Sequence, residues 1–100
     1  MNKDLQRFKM ILSEKEFNRI EEQDEGTYVI DVHEFRRDET KRMINNIINL
    51  STHPCTITVI HGYNRGTVLL EMIRKDLHNP KIVNITSAVY NPGKTFLEIA

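Results

Sequence analysis

A regular alternation of strand-like and helix-like segments over residues 27–99 restricts the fold more than any other feature of the sequence. Apolar and β-branched runs, which predict strands, occupy residues 27–35, 55–62, 81–90 and 95–100. Between the first three runs lie "RRDETKRMINNIINL" and "TVLLEMIRKDLHN", each with an apolar stripe at helical spacing. Pro54 and Pro80 follow these two segments and mark their ends, and Asp38 is the predicted N-cap of the first.

This order, β-α-β-α-β-β, predicts an α/β fold, a two-layer α/β sandwich with a mixed four-stranded sheet. Strand–helix–strand connections are right-handed, so the first three strands should be parallel. The fourth should return antiparallel after the turn "NPGK" and form a hairpin with the third. Two core helices suffice to cover one face of such a sheet, so we expect both helices on the same face.

The first 25 residues predict a helical extension, which divides the chain into an extension (1–25) and a domain (26–100). Apolar residues recur at spacings of three to five between Asp4 and Gln23, which favours a helix. Ser13 with Glu16 matches a capping box, so two short helices are the alternative. The apolar stripe is expected to pack on the domain rather than to bind a partner, and the open sheet face would be covered by it or by a second subunit.

Charge and composition limit the class of protein. Lysine plus arginine and aspartate plus glutamate each number 14, and this zero net charge argues against nucleic-acid or membrane binding by bulk charge while leaving room for a local basic patch. The charged N-terminus is unlike a signal peptide, and no apolar run approaches the about 20 residues of a membrane span. Cys55 is the single cysteine, so no internal disulfide forms. We expect a cytoplasmic protein with no membrane partner and leave its oligomeric state open.

Polar residues at the ends of two strands predict a ligand site. Asp31 and His33 end the first strand, two residues apart and therefore on one face. His61 and Gly62 end the second strand. Ligands of open α/β sheets bind beyond the carboxyl ends of parallel strands, so His33 and His61 should lie at the same edge.

The loop after the second strand favours an anion, above all phosphate. It leads into a helix, whose free N–H groups and positive dipole end attract negative charge. Gly66 would let a phosphate approach the backbone, and the guanidinium of Arg65 matches phosphate oxygens. Arginines also follow the first strand on the same edge. The predicted phosphate-binding residues are His61, Gly62, Asn64, Gly66, Thr67, Arg36 and Arg37.

Two stretches together, "IDVHE" at residues 30–34 and "HGYNRG" at residues 61–66, resemble the motifs of the Smr (small MutS-related) family. That family has a Leu-Asp-Leu-His-Gly motif at the end of its first strand and a His-Gly-x-Gly-x-Gly-type loop after its second. The resemblance covers residues 27–99 in element order as well as motif. It implies a sandwich like the C-terminal domain of bacterial translation initiation factor three, nucleic-acid binding and, as in several members, endonuclease action on DNA or RNA.

The resemblance also implies roles for particular residues. Its aspartate and histidine carry over to Asp31 and His33, and its loop to His61, Gly62 and Gly66; an arginine of RNA-cleaving members corresponds to Arg65. The sequence departs from the family at two positions. Glu34 stands in place of a glycine and adds a carboxylate beside the expected phosphate, and Asn64 replaces a loop glycine.

These residues predict a nucleic-acid-binding domain that cleaves phosphodiester bonds in RNA or DNA. His33 would be the general acid or base, oriented by Asp31, with Arg65 stabilising charge on the phosphate. With RNA the 2′-hydroxyl could be the nucleophile and no metal is required. A second version holds a divalent metal, Mg or Mn, on Asp31, His33 and His61; we favour the metal-free version because Mg²⁺ prefers oxygen ligands.

Two other functions remain open from the sequence. A non-catalytic module that binds RNA, the ribosome or DNA is favoured by Glu34, because binding survives a poor catalytic site. A small phosphorylated metabolite bound at the same loop is the third reading, although a domain of this size has no evident lid to enclose one.

Overall fold

The structure, a computed structural model, describes residues 2–62 and 66–100. The helix over Gly66–Glu71 continues without a break into a π-helical stretch, Met72–Asp76. No helix among residues 2–62 and 66–100 is long and apolar enough to cross a membrane. The elements are α1 (Lys3–Ile11), α2 (Glu14–Phe17), β1 (Ile20–Asp24), β2 (Thr27–Asp31), α3 (Arg37–Leu50), β3 (Cys55–Ile60), α4 (Gly66–Glu71), β4 (Ile82–Ser87) and β5 (Lys94–Ile99).

The strands form one mixed sheet in the order β1-β2-β3-β5-β4. β2 and β3 are parallel, with Thr27 opposite Thr56 and Asp31 opposite Ile60, and this predicted pairing is confirmed. β5 lies between β3 and β4 and is antiparallel to both. The predicted hairpin of the last two strands is therefore confirmed, and its second strand lies inside the sheet.

The predicted count of four strands is wrong, because residues 2–62 and 66–100 form five. The additional strand is β1, in the segment predicted to be helical, and it is antiparallel to β2 with Glu22 opposite Tyr28. A tight turn ending at Gly26, whose φ is 80°, joins the two strands. The sequence of β1, "IEEQD", lacks alternating apolar residues, so pairing with the edge of β2 rather than local propensity makes it a strand.

The helical part of the N-terminal segment agrees with the alternative prediction of two short helices, which the capping box at Ser13 suggested. The Ser13 hydroxyl accepts a hydrogen bond from the Glu16 N–H at 3.2 Å, and the Glu16 carboxylate accepts one from the Ser13 N–H at 3.0 Å. These bonds start a separate helix, α2, after α1 has ended at Ile11. The segment therefore consists of two short helices followed by a strand.

One face of the sheet carries the hydrophobic core. Alternate residues of β2 and β3 are buried there, and the apolar stripes predicted for the two core helices pack against them. Helix α1 adds Phe8 to the same cluster, so α1, α3 and α4 all contribute to a single core. Its members include Phe8, Tyr28, Ile30, Met43, Ile44, Ile47, Ile48, Ile57, Val59, Leu69, Met72, Ile73, Leu77 and Leu97. On the opposite face, Val29, Ile60 and Phe96 are half-buried.

The start of α3 differs from the prediction. Arg36, not Asp38, is the N-cap residue, so the predicted cap is wrong. The Glu39 carboxylate accepts a hydrogen bond from the Arg36 N–H at 3.4 Å, and this contact begins the helix two residues earlier. Asp38 lies in the first turn, where its charge still suits the positive end of the helix dipole.

Candidate functional site

Asp31 and His33 form a pair at the carboxyl end of β2. The Asp31 Oδ1 atom accepts hydrogen bonds from His33 Nδ1 at 2.5 Å and from the His33 backbone N–H at 3.3 Å. The buried Val32 between them donates its N–H to the Ile60 carbonyl, and the Phe35 N–H donates to the Val32 carbonyl, so the chain turns at once. This turn folds the imidazole back onto Asp31, while the His33 side chain stays 43% exposed.

The contact between Asp31 and His33 favours the charged form of each. The hydrogen bond to Asp31, followed by the charge of that carboxylate, raises the pKa of His33. Burial alone would raise the pKa of Asp31, but the hydrogen bonds from His33 together with the charges of His33 and Arg19 outweigh it, so the pKa of Asp31 is lowered. The result is an exposed histidine–carboxylate pair in which the carboxylate holds the Nδ1 proton.

A second carboxylate lies against the other nitrogen of His33. Glu34 Oε1 is 3.4 Å from His33 Nε2, and Glu34 Oε2 accepts a hydrogen bond from Arg19 Nη2, also at 3.4 Å. The Glu34 side chain is 66% exposed. Glu34 therefore occupies the side of the imidazole from which a substrate would reach Nε2.

Arg19 belongs to the site although the sequence interpretation missed it. Its carbonyl accepts the Asp31 N–H at 3.1 Å, which continues the pairing of β1 with β2. The guanidinium lies over the Phe35 ring, 5.3 Å from the centroid. Beside Arg19 and Asp31, a shallow cavity of ≈ 450 Å³ opens on the helix-free face of the sheet. The sequence "DEGT" at the end of β1 is typical of a hairpin turn, and it could have predicted the pairing of β1 with β2 that brings Arg19 to Asp31.

Gly62, at the start of the "HGYNRG" motif, lies against His33 of the "IDVHE" motif. Its φ is 72°, and a Cβ added there would lie 3.4 Å from the Cβ of His33. The Gly93 carbonyl accepts hydrogen bonds from the N–H groups of His61 and Gly62, at 2.9 and 3.1 Å. The loop between β4 and β5, which the sequence showed only as a turn, therefore supports the site through Gly93.

His61 lies inside the protein rather than beside a ligand. The residue is 1% exposed, its Nδ1 donates to the Gly62 carbonyl at 2.7 Å, and its Nε2 accepts from the Thr95 hydroxyl at 2.9 Å. Burial lowers the pKa of His61, and the charge of Arg74 acts in the same direction. A neutral ring with both nitrogens engaged holds the loop in place and offers no atom to a phosphate.

The same contacts bear on the metal alternative. A site on Asp31, His33 and His61 does not fit, because both ring nitrogens of His61 are already hydrogen-bonded within the protein. Across residues 2–62 and 66–100, no three His, Cys, Asp or Glu side chains come together as metal ligands.

The structure describes four of the remaining predicted residues. Asn64 and Arg65 fall outside the described residues; Gly66 begins α4, and Thr67 is exposed in its first turn. Arg36 is exposed at the N-cap of α3. Arg37 instead contacts Asp38 at 2.8 Å and Asp76 at 2.5 Å, so its guanidinium is held against the end of the neighbouring helix.

Comparison of the chain with models of protein families, with curated proteins and with solved structures found no match. The resemblance to the Smr family therefore rests on two short motifs and on the order of the elements. A function for the chain has to follow from its own residues, chiefly the Asp31–His33 pair and the loops around it.

Proposed function

We propose that this domain binds RNA or DNA and cleaves its phosphodiester bonds, with His33 as the proton-transferring group. The observation that carries the proposal is the exposed Asp31–His33 pair at the carboxyl edge of the sheet. Asp31 fixes the tautomer and orientation of the imidazole, as the orienting carboxylate of an acid–base pair must. The raised pKa of His33 suits donation of a proton near neutral pH.

With RNA, the chemistry needs few groups from the protein. The 2′-hydroxyl attacks the adjacent phosphorus and releases its proton to water, the bond from phosphorus to the 5′ oxygen breaks, and His33 Nε2 donates a proton to that oxygen. The products are a 2′,3′-cyclic phosphate and a 5′-hydroxyl end. On the sequence, Arg65 would stabilise the charge that develops on the phosphate.

A non-catalytic nucleic-acid-binding module is the second candidate, and Glu34 favours it. The carboxylate contacts His33 Nε2, the atom that has to transfer the proton. If Glu34 stays there, the same surface can hold structured RNA, such as that of a ribosome, or DNA without cleaving it.

Cleavage assays on the parent, Asp31→Asn and His33→Ala separate the two candidates. The substrates are labelled single-stranded RNA, duplex DNA and supercoiled plasmid, each with Mg²⁺, Mn²⁺ or a chelator. For a nuclease, either variant should lose about 10²- to 10⁴-fold in rate while affinity changes only a few-fold, because an acid–base group acts in the transition state.

His53→Ala is the matched control, because His53 is 82% exposed and precedes β3 at the opposite edge of the sheet. It should cleave and bind like the parent. A parent that binds nucleic acid but leaves every substrate intact points to the binding module. A parent that binds none of them refutes both.

A further inference from the structure

We propose that Arg19 and His33 together hold the phosphodiester at this site, and that the Glu34 carboxylate occupies the same place when no substrate is bound. This inference rests on the proposed function and specifies which groups contact the phosphate and what competes with it. Arg19 lies outside the segment that resembles the Smr family, so the resemblance does not assign it a role.

The contacts of Glu34 have the form of an anion held between two donors. One oxygen faces His33 Nε2 and the other faces Arg19 Nη2, each at 3.4 Å. A phosphodiester also carries a single negative charge shared by two oxygens on one central atom. The Glu34 oxygen at Arg19 therefore stands in for a non-bridging oxygen of a phosphodiester, and the oxygen at His33 Nε2 stands in for the 5′ oxygen on the same phosphorus, which receives the proton.

Glu34 is held loosely enough to be displaced. Both of its contacts are longer than the about 2.7–2.9 Å of strong charge-assisted hydrogen bonds, and its side chain is 66% exposed. Ion pairs of this exposure contribute little to stability. The side chain can rotate into solvent without moving any buried residue, which leaves both donors to the phosphate.

Arg19, in contrast, is fixed where the phosphate would lie. Its carbonyl accepts a hydrogen bond from the Asp31 N–H, its guanidinium rests on the Phe35 ring, and its side chain is 29% exposed. Arg37 is less suited to this role, since the carboxylates of Asp38 and Asp76, both within 2.8 Å, already hold its guanidinium. The structure thus favours Arg19 over Arg37 as the phosphate-binding cation.

Four variants test the inference: Glu34→Gln, Arg19→Gln, the two combined, and Lys15→Gln as the control. Lys15 lies over the same Phe35 ring, 4.7 Å from its centroid, but its ion pair is with Glu39. Its substitution removes a cation from that ring without touching Glu34. Affinity for a labelled single-stranded oligonucleotide is measured over a range of salt concentrations.

Arg19→Gln should weaken binding about tenfold and reduce the slope of log affinity against log salt by about 0.7, the value for one phosphate contact on a single strand. Lys15→Gln should stay close to the parent. Glu34→Gln should tighten binding several-fold, because it removes a like charge and a competitor. In the Arg19→Gln background most of that gain should disappear, because the two side chains act at one place.

Two results would overturn the inference while leaving the proposed function intact. One is an equal gain from Glu34→Gln with and without Arg19, and the other is an Arg19→Gln variant that binds like Lys15→Gln.

If neither the parent nor any variant binds nucleic acid, the proposed function fails, and binding of inorganic phosphate then tests the inference separately. Phosphate should then shift the ¹⁵N resonance of His33 Nε2 in Glu34→Gln but not in the double variant. No shift in Glu34→Gln, or an equal shift in both, rejects the anion site.

Discussion

The backbone of Gly62 offers a quantitative test of how the two motifs are held together. Gly62 has a φ of 72°, a left-handed conformation that costs a residue with a Cβ about 1–2 kcal/mol. Gly26 has a φ of 80° and should impose the same penalty. The two sites differ in their surroundings: an added Cβ would lie 3.4 Å from the His33 Cβ at Gly62, but 3.8 Å from the Pro54 carbonyl oxygen at Gly26.

Gly62→Ala and Gly26→Ala should therefore lose similar stability, while only the first disturbs the site. In urea, a slope of about 1–3 kcal/mol per molar turns a loss of about 1–2 kcal/mol into a midpoint lower by roughly 1 M. In an NMR pH titration, the pKa of His33 should return towards its ordinary value in Gly62→Ala, because the backbone that relaxes from its left-handed conformation lies against the Cβ of His33. It should stay unchanged in Gly26→Ala.

Two results would refute this reasoning. A parent-like urea midpoint for Gly62→Ala would mean that the backbone there is not left-handed. An identical His33 titration in both glycine variants would mean that Gly62 does not support the imidazole.

Three further predictions concern the two histidines. Thr95→Val removes the hydroxyl that donates to the buried Nε2 of His61 and should lower the free energy of unfolding by about 1–3 kcal/mol. Thr95→Ser keeps a hydroxyl and should retain most of that free energy. Equal losses for the two variants in urea would contradict the hydrogen bond. Asp31→Asn should lower the pKa of His33 in an NMR titration, because the hydrogen-bonded carboxylate raises it; an unchanged value would exclude that cause. The pair should also make stability depend on pH. Because the pKa of His33 is raised in the folded protein, its contribution to stability is complete below about pH 6.5 and is lost as the pH rises through the folded pKa. Because the pKa of Asp31 is lowered, its contribution is present above about pH 3.9 and is lost as the pH falls through the folded pKa of Asp31. The difference in unfolding free energy between parent and Asp31→Asn should therefore be largest between about pH 4 and 6.5, and a difference independent of pH would contradict the pairing.

The parts of the fold that repeat a clear pattern could be predicted from the sequence. The α3 stripe, Met43, Ile44, Ile47 and Ile48, is fully buried as its spacing predicted. The parallel pairing of β2 with β3 followed from the handedness of the connection between them. The contact of His33 with Asp31 was also within reach, since a spacing of two residues keeps them close, although a turn rather than strand alternation brings the side chains together.

The parts decided by which strands pair, rather than by the pattern within one segment, were not predicted. Nothing in "IEEQD" marks a strand until β2 is beside it, so Arg19 was placed in a helix and its contact with Glu34 was missed. The position of β5 next to β3 likewise has no local signal. That position brings Thr95 to His61, and the histidine expected to bind phosphate is buried as a result.

The insertion of β5 between β3 and β4 also determines when the sheet can close during synthesis. β5 is the last of the described strands along the chain, yet β4 pairs only with β5, and one edge of β3 depends on it as well. Until residues 94–99 have left the ribosome, the "CTITVI" strand presents an unpaired, β-branched edge, the kind of segment that pairs with other chains. The nascent domain thus passes through an aggregation-prone stage that ends when β5 inserts, and loss of these six residues would make that stage permanent.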